Sequence, residues 1–176
     1  VGYNKDETET WIPALLETNI AALTVHARTR KEMSKAPARW ERIARAVEIA
    51  NGTGTLIIGN GDVLDMADAK EKAKATGADG AMLGRAIFGN PWLFAKKKKE
   101  ITIEEKLRVM IEHTKLFEKE LGAHKNFALM KKHYKAYANG FLGAKELRMK
   151  LMEAKDAKEV ENITNIYLTN ELKRVV

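Results

Sequence analysis

The spacing of apolar residues changes about halfway along the chain. Between residues 21 and 84, three short apolar runs, AALTV, TLIIG and ADGAMLG, alternate with segments whose apolar positions recur at helical spacing. Strands that are linked through helices pair in parallel by right-handed crossovers. The first part of the chain is therefore predicted to be α/β, with strands over 21–25, 55–59 and 78–84.

Two helices are predicted between these strands. Pro37 stands where a first helical turn tolerates proline, and Trp40, Ile43 and Val47 follow it at helical spacing. In the second segment, Asp65 is in place to cap the amino end, and Gly77 is in place to end the helix. The sequence thus predicts helices over 38–50 and 63–77.

From Ile101 onward every apolar pattern has a helical period. The segments are IEEKLRVMIEHTKLFEKEL, NFALMKKHYKAYANGF, AKELRMKLMEAKD and DAKEVENITNIYLTNELKRV. They predict a bundle of three or four helices as a separate all-α domain. We place the two domains at residues 1–95 and 96–176, with Lys96–Lys99 as the linker.

Composition narrows the possible chemistry. The chain has no cysteine, which excludes disulfides, cysteine-based metal sites and a thiol nucleophile from these residues. We predict no metal ligands. No apolar run approaches the roughly 20 residues needed to cross a bilayer, and the amino terminus has no signal-peptide pattern. We expect a cytoplasmic protein with no membrane partner.

The net charge of +7 is concentrated in one segment. Residues 96–150 carry 15 basic and 7 acidic residues, whereas residues 1–95 carry 12 of each. Two interpretations stay open. The segment is either a solvated, lysine-rich helical surface, or a face that binds a polyanion such as nucleic acid, because clustered cations gain by releasing its counterions.

A polar cluster follows each predicted strand. The clusters are His26-Ala27-Arg28-Thr29, Gly59-Asn60-Gly61-Asp62 and Gly84-Arg85. Ligands of parallel α/β folds bind at the carboxyl ends of strands. Glycine lets backbone N–H groups approach a phosphate, and an arginine adds a planar, bidentate charge. The set predicts a phosphate site, with AIFGNP after it as a short helix.

Each cluster also has a structural interpretation. The GNGD stretch could be a tight turn in which Asp62 caps the next helix. Gly84-Arg85 could be a strand break with a surface salt bridge, and His26 could be a satisfied residue at the edge of the core.

Longer stretches resemble a known family. LTVHARTR, LIIGNGDV, ADGAMLGRAIFGNPWLF and MKKHYKAYANGFLGAKELR resemble, in this order, the bacterial tRNA-dihydrouridine synthases, and the resemblance runs from about residue 1 to about residue 168. It implies an oxidoreductase that reduces particular uridines in tRNA to 5,6-dihydrouridine, using FMN that is recharged by NADPH. It also implies a (β/α)₈ TIM barrel followed by a helical domain that binds tRNA.

The resemblance assigns a set of residues to the flavin and its phosphate. His26 would contact the polar edge of the flavin and its ribityl chain, Arg28 would face flavin or tRNA, and Ala27 stands where the family usually has glycine. If position 27 needs a positive φ, alanine costs on the order of 1 kcal/mol. The full cofactor set is His26, Arg28, Asn60, Gly61, Asp62, Gly84 and Arg85.

The resemblance further implies barrel residues that precede this sequence. These would include the first strands, a lysine that contacts flavin and a cysteine that acts as general acid, and the opening VGYNKDETE resembles a loop. We therefore expect a C-terminal fragment that contains no catalytic residue and is inactive alone. Three parallel strands leave open edges, so the expected partners are the missing N-terminal half-barrel or a second copy of the chain.

The basic segment falls where the resembling family binds tRNA. The predicted RNA contacts are Lys125, Lys131, Lys132, Lys135, Lys145 and Arg148. His133, Tyr134 and Tyr137 could stack on bases. Alternatively the tyrosines and Phe141 are core residues, which we favour for the two tyrosines. Two other functions remain open: a phosphate-binding TIM-barrel enzyme without RNA, and a non-enzymatic RNA-binding fragment.

Overall fold

The computed structural model describes the backbone of residues 1–95 and 100–174 and the side chains up to residue 170 except 96–99. The chain divides into two compact units, Val1–Ile87 and Phe88–Val176. The predicted linker, Lys96–Lys99, lies outside the described residues.

Unit 1 is an α/β unit built on a parallel sheet of three strands in the order β1-β2-β3. Its elements are α1 (Thr8–Leu16), β1 (Ala22–His26), α2 (Glu41–Ala50), β2 (Leu56–Asn60), α3 (Met66–Thr76) and β3 (Gly80–Met82). The predicted strands and their parallel pairing are confirmed. The register aligns His26 with Asn60 and Asn60 with Met82, so the three strands end side by side.

The core of unit 1 joins the sheet to α1 and α2. Val25 and Ile57 from the strands pack with Ile43 of α2 and Ile12 of α1, all almost fully buried. Helix α1 was not predicted, because the opening VGYNKDETE was interpreted as a loop by its resemblance to the family. The helix forms nonetheless, and Asp6 accepts hydrogen bonds from the backbone N–H and the hydroxyl of Thr8 where it begins.

The two predicted helices between strands are present with different amino ends. The carboxylate of Asp65 caps α3 by accepting from the N–H groups of Ala67 and Asp68, and Gly77 ends the helix in the left-handed conformation, as predicted. Helix α2 begins at Glu41 instead of residue 38. The preceding residues are held by hydrogen bonds to other loops, which are described below.

Among the described residues of unit 2, α4 (Ile103–Leu121), α5 (Lys131–Tyr137), α6 (Ala144–Glu153) and α7 (Ala157–Arg174) are α-helices, and Phe127–Met130 is a 3₁₀ turn. Leu107, Met110, Tyr134 and Leu151 are buried together in its core. Tyr137 is also buried, so the core interpretation of the two tyrosines is confirmed. Phe141 is partly buried and packs against the same cluster.

The division between the units falls after Ile87 instead of residue 95. The expected short helix in this region is a 3₁₀ turn at Arg85–Ile87. The rings of Phe88 and His133 then pack edge to face, with their centroids 5.1 Å apart, and the segment after Ile87 belongs to unit 2. No helix within the described part of the chain is both long and apolar enough to cross a membrane.

Candidate functional site

An open cleft of about 1000 Å³ lies at the carboxyl ends of the strands in unit 1. Because the strands are parallel and in register, the three polar clusters meet along one edge of the sheet. All seven residues expected at the cofactor line this cleft, namely His26, Arg28, Asn60, Gly61, Asp62, Gly84 and Arg85. Thr29 of the first cluster also lines the cleft, and the loop after it adds Arg30, Met33 and Ser34, which the sequence did not single out.

Asn60 connects the ends of the three strands. Its side-chain Nδ2 donates to the carbonyl of Met82 at 2.8 Å, so its Oδ1 faces the imidazole of His26 at 2.6 Å. An amide oxygen only accepts, so His26 donates from Nδ1. The imidazole is exposed, not a satisfied residue of the core, and its Nε2 has no partner among the described residues.

Asp62 is bound on both sides by arginine. One carboxylate oxygen accepts from the guanidinium of Arg28 and, at 2.9 Å, from the N–H of Ala38, whereas the other accepts from Arg85 at 2.7 Å. The hydrogen bond from Arg28 and the neighbouring positive charges lower the pKa of Asp62 to about 2. Because two cations surround one carboxylate, this trio carries a net charge of +1 at neutral pH.

The two arginines differ in exposure. The side chain of Arg28 is only 4% exposed and also donates from Nε to the carbonyl of Ala36, whereas the side chain of Arg85 is 67% exposed. Arg85 therefore forms the surface salt bridge that one interpretation expected, and it does so at the cleft. The interpretation of Asp62 as the cap of the next helix is wrong, because Asp65 caps α3.

Four residues that line the cleft at two strand ends have backbone N–H groups without partners. The N–H groups of Gly61, Asp62, Gly84 and Arg85 donate to no atom of the described residues. Successive free amides at a turn form a concavity that favours an anion. Ala27 does not have a positive φ, so the expected strain at that position is absent. Among the non-glycine residues that line the cleft, Met33 and Asp62 have a positive φ, of 49° each.

Replacing Gly61 with alanine is expected to lower the free energy of unfolding by about 2 kcal/mol. Gly61 has a φ of +130°, and an added Cβ would lie 2.8 Å from the Cβ of Ala38. Gly84 is the matched control, because its added Cβ meets no atom within 4 Å and its φ is outside the left-handed region. Urea denaturation of both variants tests this, and equal stabilities would contradict it.

Unit 2 carries a surface of lysines. Lys125, Lys132, Lys135 and Lys145 are exposed and Lys131 is half-buried, and none of the five forms an ion pair with a described residue. Helix α5 turns Tyr134 and Tyr137 into the core, and three of these lysines lie on the same short helix. We call the five residues the lysine surface.

The other expected RNA contacts have structural roles. Arg148 is half-buried, and its guanidinium donates to the carbonyl of Ala138 at 2.8 Å, which stabilises the end of α5. His133 is half-buried between the rings of Phe88 and His113. Burial and the neighbouring charges lower the pKa of His133. We therefore do not include Arg148 or His133 in the lysine surface.

Comparison with known proteins identifies the relatives of the chain. The family model described as dihydrouridine synthase (Dus) matches residues 3–173. A probable tRNA-dihydrouridine synthase of Staphylococcus epidermidis is 36% identical over 94% of this chain and 52% of its own length. One from Staphylococcus aureus (strain MRSA252) is 39% identical over 89% of this chain and 49% of its own length.

A third relative is the probable tRNA-dihydrouridine synthase 2 of Bacillus subtilis, which is 37% identical over 91% of this chain and 50% of its own length. The chain thus spans about half the length of the curated relatives it matches. Because the family model covers nearly all of the sequence, the chain belongs to the dihydrouridine synthase family.

Proposed function

We propose that this chain supplies the FMN-phosphate site and a tRNA-contacting surface of a tRNA-dihydrouridine synthase. The enzyme would reduce specific uridines in tRNA to 5,6-dihydrouridine, with NADPH as the reductant of the flavin. Family membership and the names of the relatives support the reaction. The family also favours this function over a phosphate-binding barrel without RNA.

The observation that carries the cofactor proposal is the set of free backbone donors in the cleft. Gly61, Asp62, Gly84 and Arg85 line the same cleft and have N–H groups without partners among the described residues. A phosphate dianion would accept from these amides and from the exposed guanidinium of Arg85. The net positive charge of the Asp62 trio favours the same ligand.

The residues present fit FMN in further respects. FMN, when bound, supplies the hydride for reducing the C5–C6 double bond of uracil. The free Nε2 of His26 and the apolar side chain of Met33 line the cleft beside the polar strand ends. The chain contains no cysteine, so we place the general acid outside these residues and expect no uridine reduction by residues 1–176 alone.

We further propose that the three strands are part of a (β/α)₈ barrel. A helix precedes or follows each strand, and the strands are parallel and in sequential order. The cleft lies at their carboxyl ends, which is where (β/α)₈ barrels bind their ligands. The half of the relatives that this chain does not match would contain the remaining strands. Pairing with them, or with a second copy, would cover the open edges of the sheet.

The test of the phosphate site compares FMN with riboflavin, which lacks the phosphate. We expect the protein to bind FMN at least about tenfold more tightly, since one charge-assisted hydrogen bond contributes about 1.5–3 kcal/mol. Titrations followed by flavin fluorescence give both dissociation constants. Inorganic phosphate should compete with FMN and leave riboflavin binding unchanged.

Arginine variants provide the control for this test. Arg85→Ala should reduce the preference for FMN, whereas Arg45→Ala should keep it, because Arg45 pairs with Glu9 and Glu48. Equal affinities of the unmodified protein for FMN and riboflavin would refute the phosphate site.

For tRNA, we propose that the lysine surface contacts the phosphate backbone. Its cations are unpaired by described carboxylates, and the segment that contains them holds the excess positive charge of the chain. Contacts of this kind position an RNA without reading its sequence.

A further inference from the structure

Three consecutive residues ahead of α2 each donate a hydrogen bond to a strand-end loop. The N–H of Ala38 donates to the carboxylate of Asp62 at 2.9 Å, and the N–H of Arg39 donates to the carbonyl of Ala27 at 2.9 Å. The indole Nε1 of Trp40 donates to the carbonyl of Gly61 at 2.8 Å. We call this segment, residues 38–40, the clamp, because it ties the loops after β1 and β2 together.

The indole of Trp40 rests directly on β2. A Cβ built at Gly59 would lie 2.5 Å from Cζ3 and 2.7 Å from Cη2 of the ring, so only glycine admits the indole at this point. Gly59 belongs to the strand and does not line the cleft, which places the indole behind the turn that carries Gly61 and Asp62.

The hydrogen bond to Gly61 fixes the orientation of one peptide plane. In a planar trans peptide the C=O and N–H groups point to opposite sides. Because the Gly61 carbonyl points toward Trp40, the N–H of Asp62 in the same peptide points away from the indole. That N–H is one of the free donors at the cleft.

We propose that Trp40 is a positioning residue of the anion site, which aims the Asp62 N–H at the ligand by holding the Gly61 carbonyl from behind. The inference rests on the proposed FMN-phosphate site and adds a residue that does not touch the ligand. Without the indole N–H, the Gly61–Asp62 peptide can rotate, and the amide loses its fixed direction.

The test replaces the donor and keeps the ring. Trp40→Phe keeps a smaller aromatic ring at position 40 and removes the N–H. We expect the dissociation constant of FMN to rise about 3- to 10-fold, the effect of one hydrogen bond, and that of riboflavin to stay unchanged. Trp11→Phe is the control, because Trp11 lies on α1, is 54% exposed and does not line the cleft.

A second measurement uses phosphate alone. In ¹⁵N-labelled protein, inorganic phosphate should shift the amide resonance of Asp62 in the unmodified chain and in Trp11→Phe, and should shift it much less in Trp40→Phe. Thermal unfolding of the three proteins shows whether Trp40→Phe is folded at the titration temperature.

The outcomes separate this inference from the proposed function. If the unmodified protein prefers FMN and Trp40→Phe keeps the full preference, or weakens FMN and riboflavin equally, the positioning role is refuted and the phosphate site stands. If the unmodified protein has no preference for FMN and phosphate does not shift the Asp62 amide, both proposals are refuted.

Discussion

Replacing Asp62 with alanine is expected to lower the free energy of unfolding by about 3 kcal/mol, the low end of the range for breaking a buried ion pair. Asp62 is the carboxylate partner of Arg28, whose side chain is 4% exposed. Without Asp62 the guanidinium stays buried, and the Ala36 carbonyl is its one remaining partner among the described residues. The side chain of Asp62 is itself 33% exposed, which moderates the loss.

Two variants separate the buried pair from the exposed one. Arg85→Ala removes the salt bridge to the same carboxylate, but Arg85 is mostly exposed, so we expect a loss below about 1 kcal/mol. The double replacement Arg28→Met and Asp62→Asn removes both charges of the pair, keeps an acceptor for the N–H of Ala38 and suits the φ of 49° at this position, so it should recover part of the stability lost in Asp62→Ala. Urea denaturation followed by tryptophan fluorescence in a Trp92→Phe background reports on unit 1, which contains Trp11 and Trp40.

The same network predicts an acid dependence with a defined sign. The pKa of Asp62 is about 2 in the folded protein and near the ordinary value of 3.8 when unfolded. The contribution of Asp62 to the free energy of unfolding is therefore complete above about pH 4, and it is lost as the pH falls through about 2. Asp62→Asn should lose less stability between these pH values than the unmodified protein. Parallel losses would show that other carboxylates govern the acid transition.

The location of the cleft could be predicted from the sequence, because it depends only on the strands being parallel. Once 21–25, 55–59 and 78–84 are strands joined by helices, their carboxyl ends must lie at one edge, and polar residues there must converge. Asn60 and Arg85 meet at the cleft for this reason. The caps of α3 were equally predictable, since Asp65 and Gly77 act on neighbouring residues.

What the sequence did not predict depends on pairing over long distances. Arg28 and Asp62 are 34 residues apart, and each was assigned to the ligand when their main contact is with one another. The hydrogen bond from Trp40 to Gly61 spans 21 residues, and the sequence pattern only placed Trp40 at helical spacing with Ile43 and Val47. No local pattern shows which of several nearby polar groups will be paired in the fold.

Replacing Lys131, Lys132 and Lys135 together with glutamine is expected to weaken tRNA binding on the order of 100-fold at about 0.15 M salt. Each lysine that neutralises a phosphate releases counterions, and this contributes about 0.7–0.9 to the slope of log K against log salt. The slope should therefore fall by about 2–3 in the variant. Filter binding at four salt concentrations measures both quantities.

The control must change the net charge by the same amount at positions outside the lysine surface. Lys70, Lys74 and Lys158 are also exposed, and none of them belongs to the lysine surface. Their triple replacement with glutamine should leave the salt slope nearly unchanged if contacts are local. Equal losses in the two variants would mean that tRNA responds only to the overall charge of +7.

The prediction for tRNA binding is independent of the flavin site. Measured together, tRNA binding and the preference for FMN distinguish an enzyme part from an RNA-binding fragment. Charge reversal of the same three lysines to glutamate should abolish tRNA binding and leave the preference for FMN over riboflavin intact, because the cleft is lined by residues of unit 1. A protein that binds tRNA through the lysine surface and shows no preference for FMN would be an RNA-binding fragment. A protein that keeps its tRNA affinity after charge reversal must contact RNA through other residues.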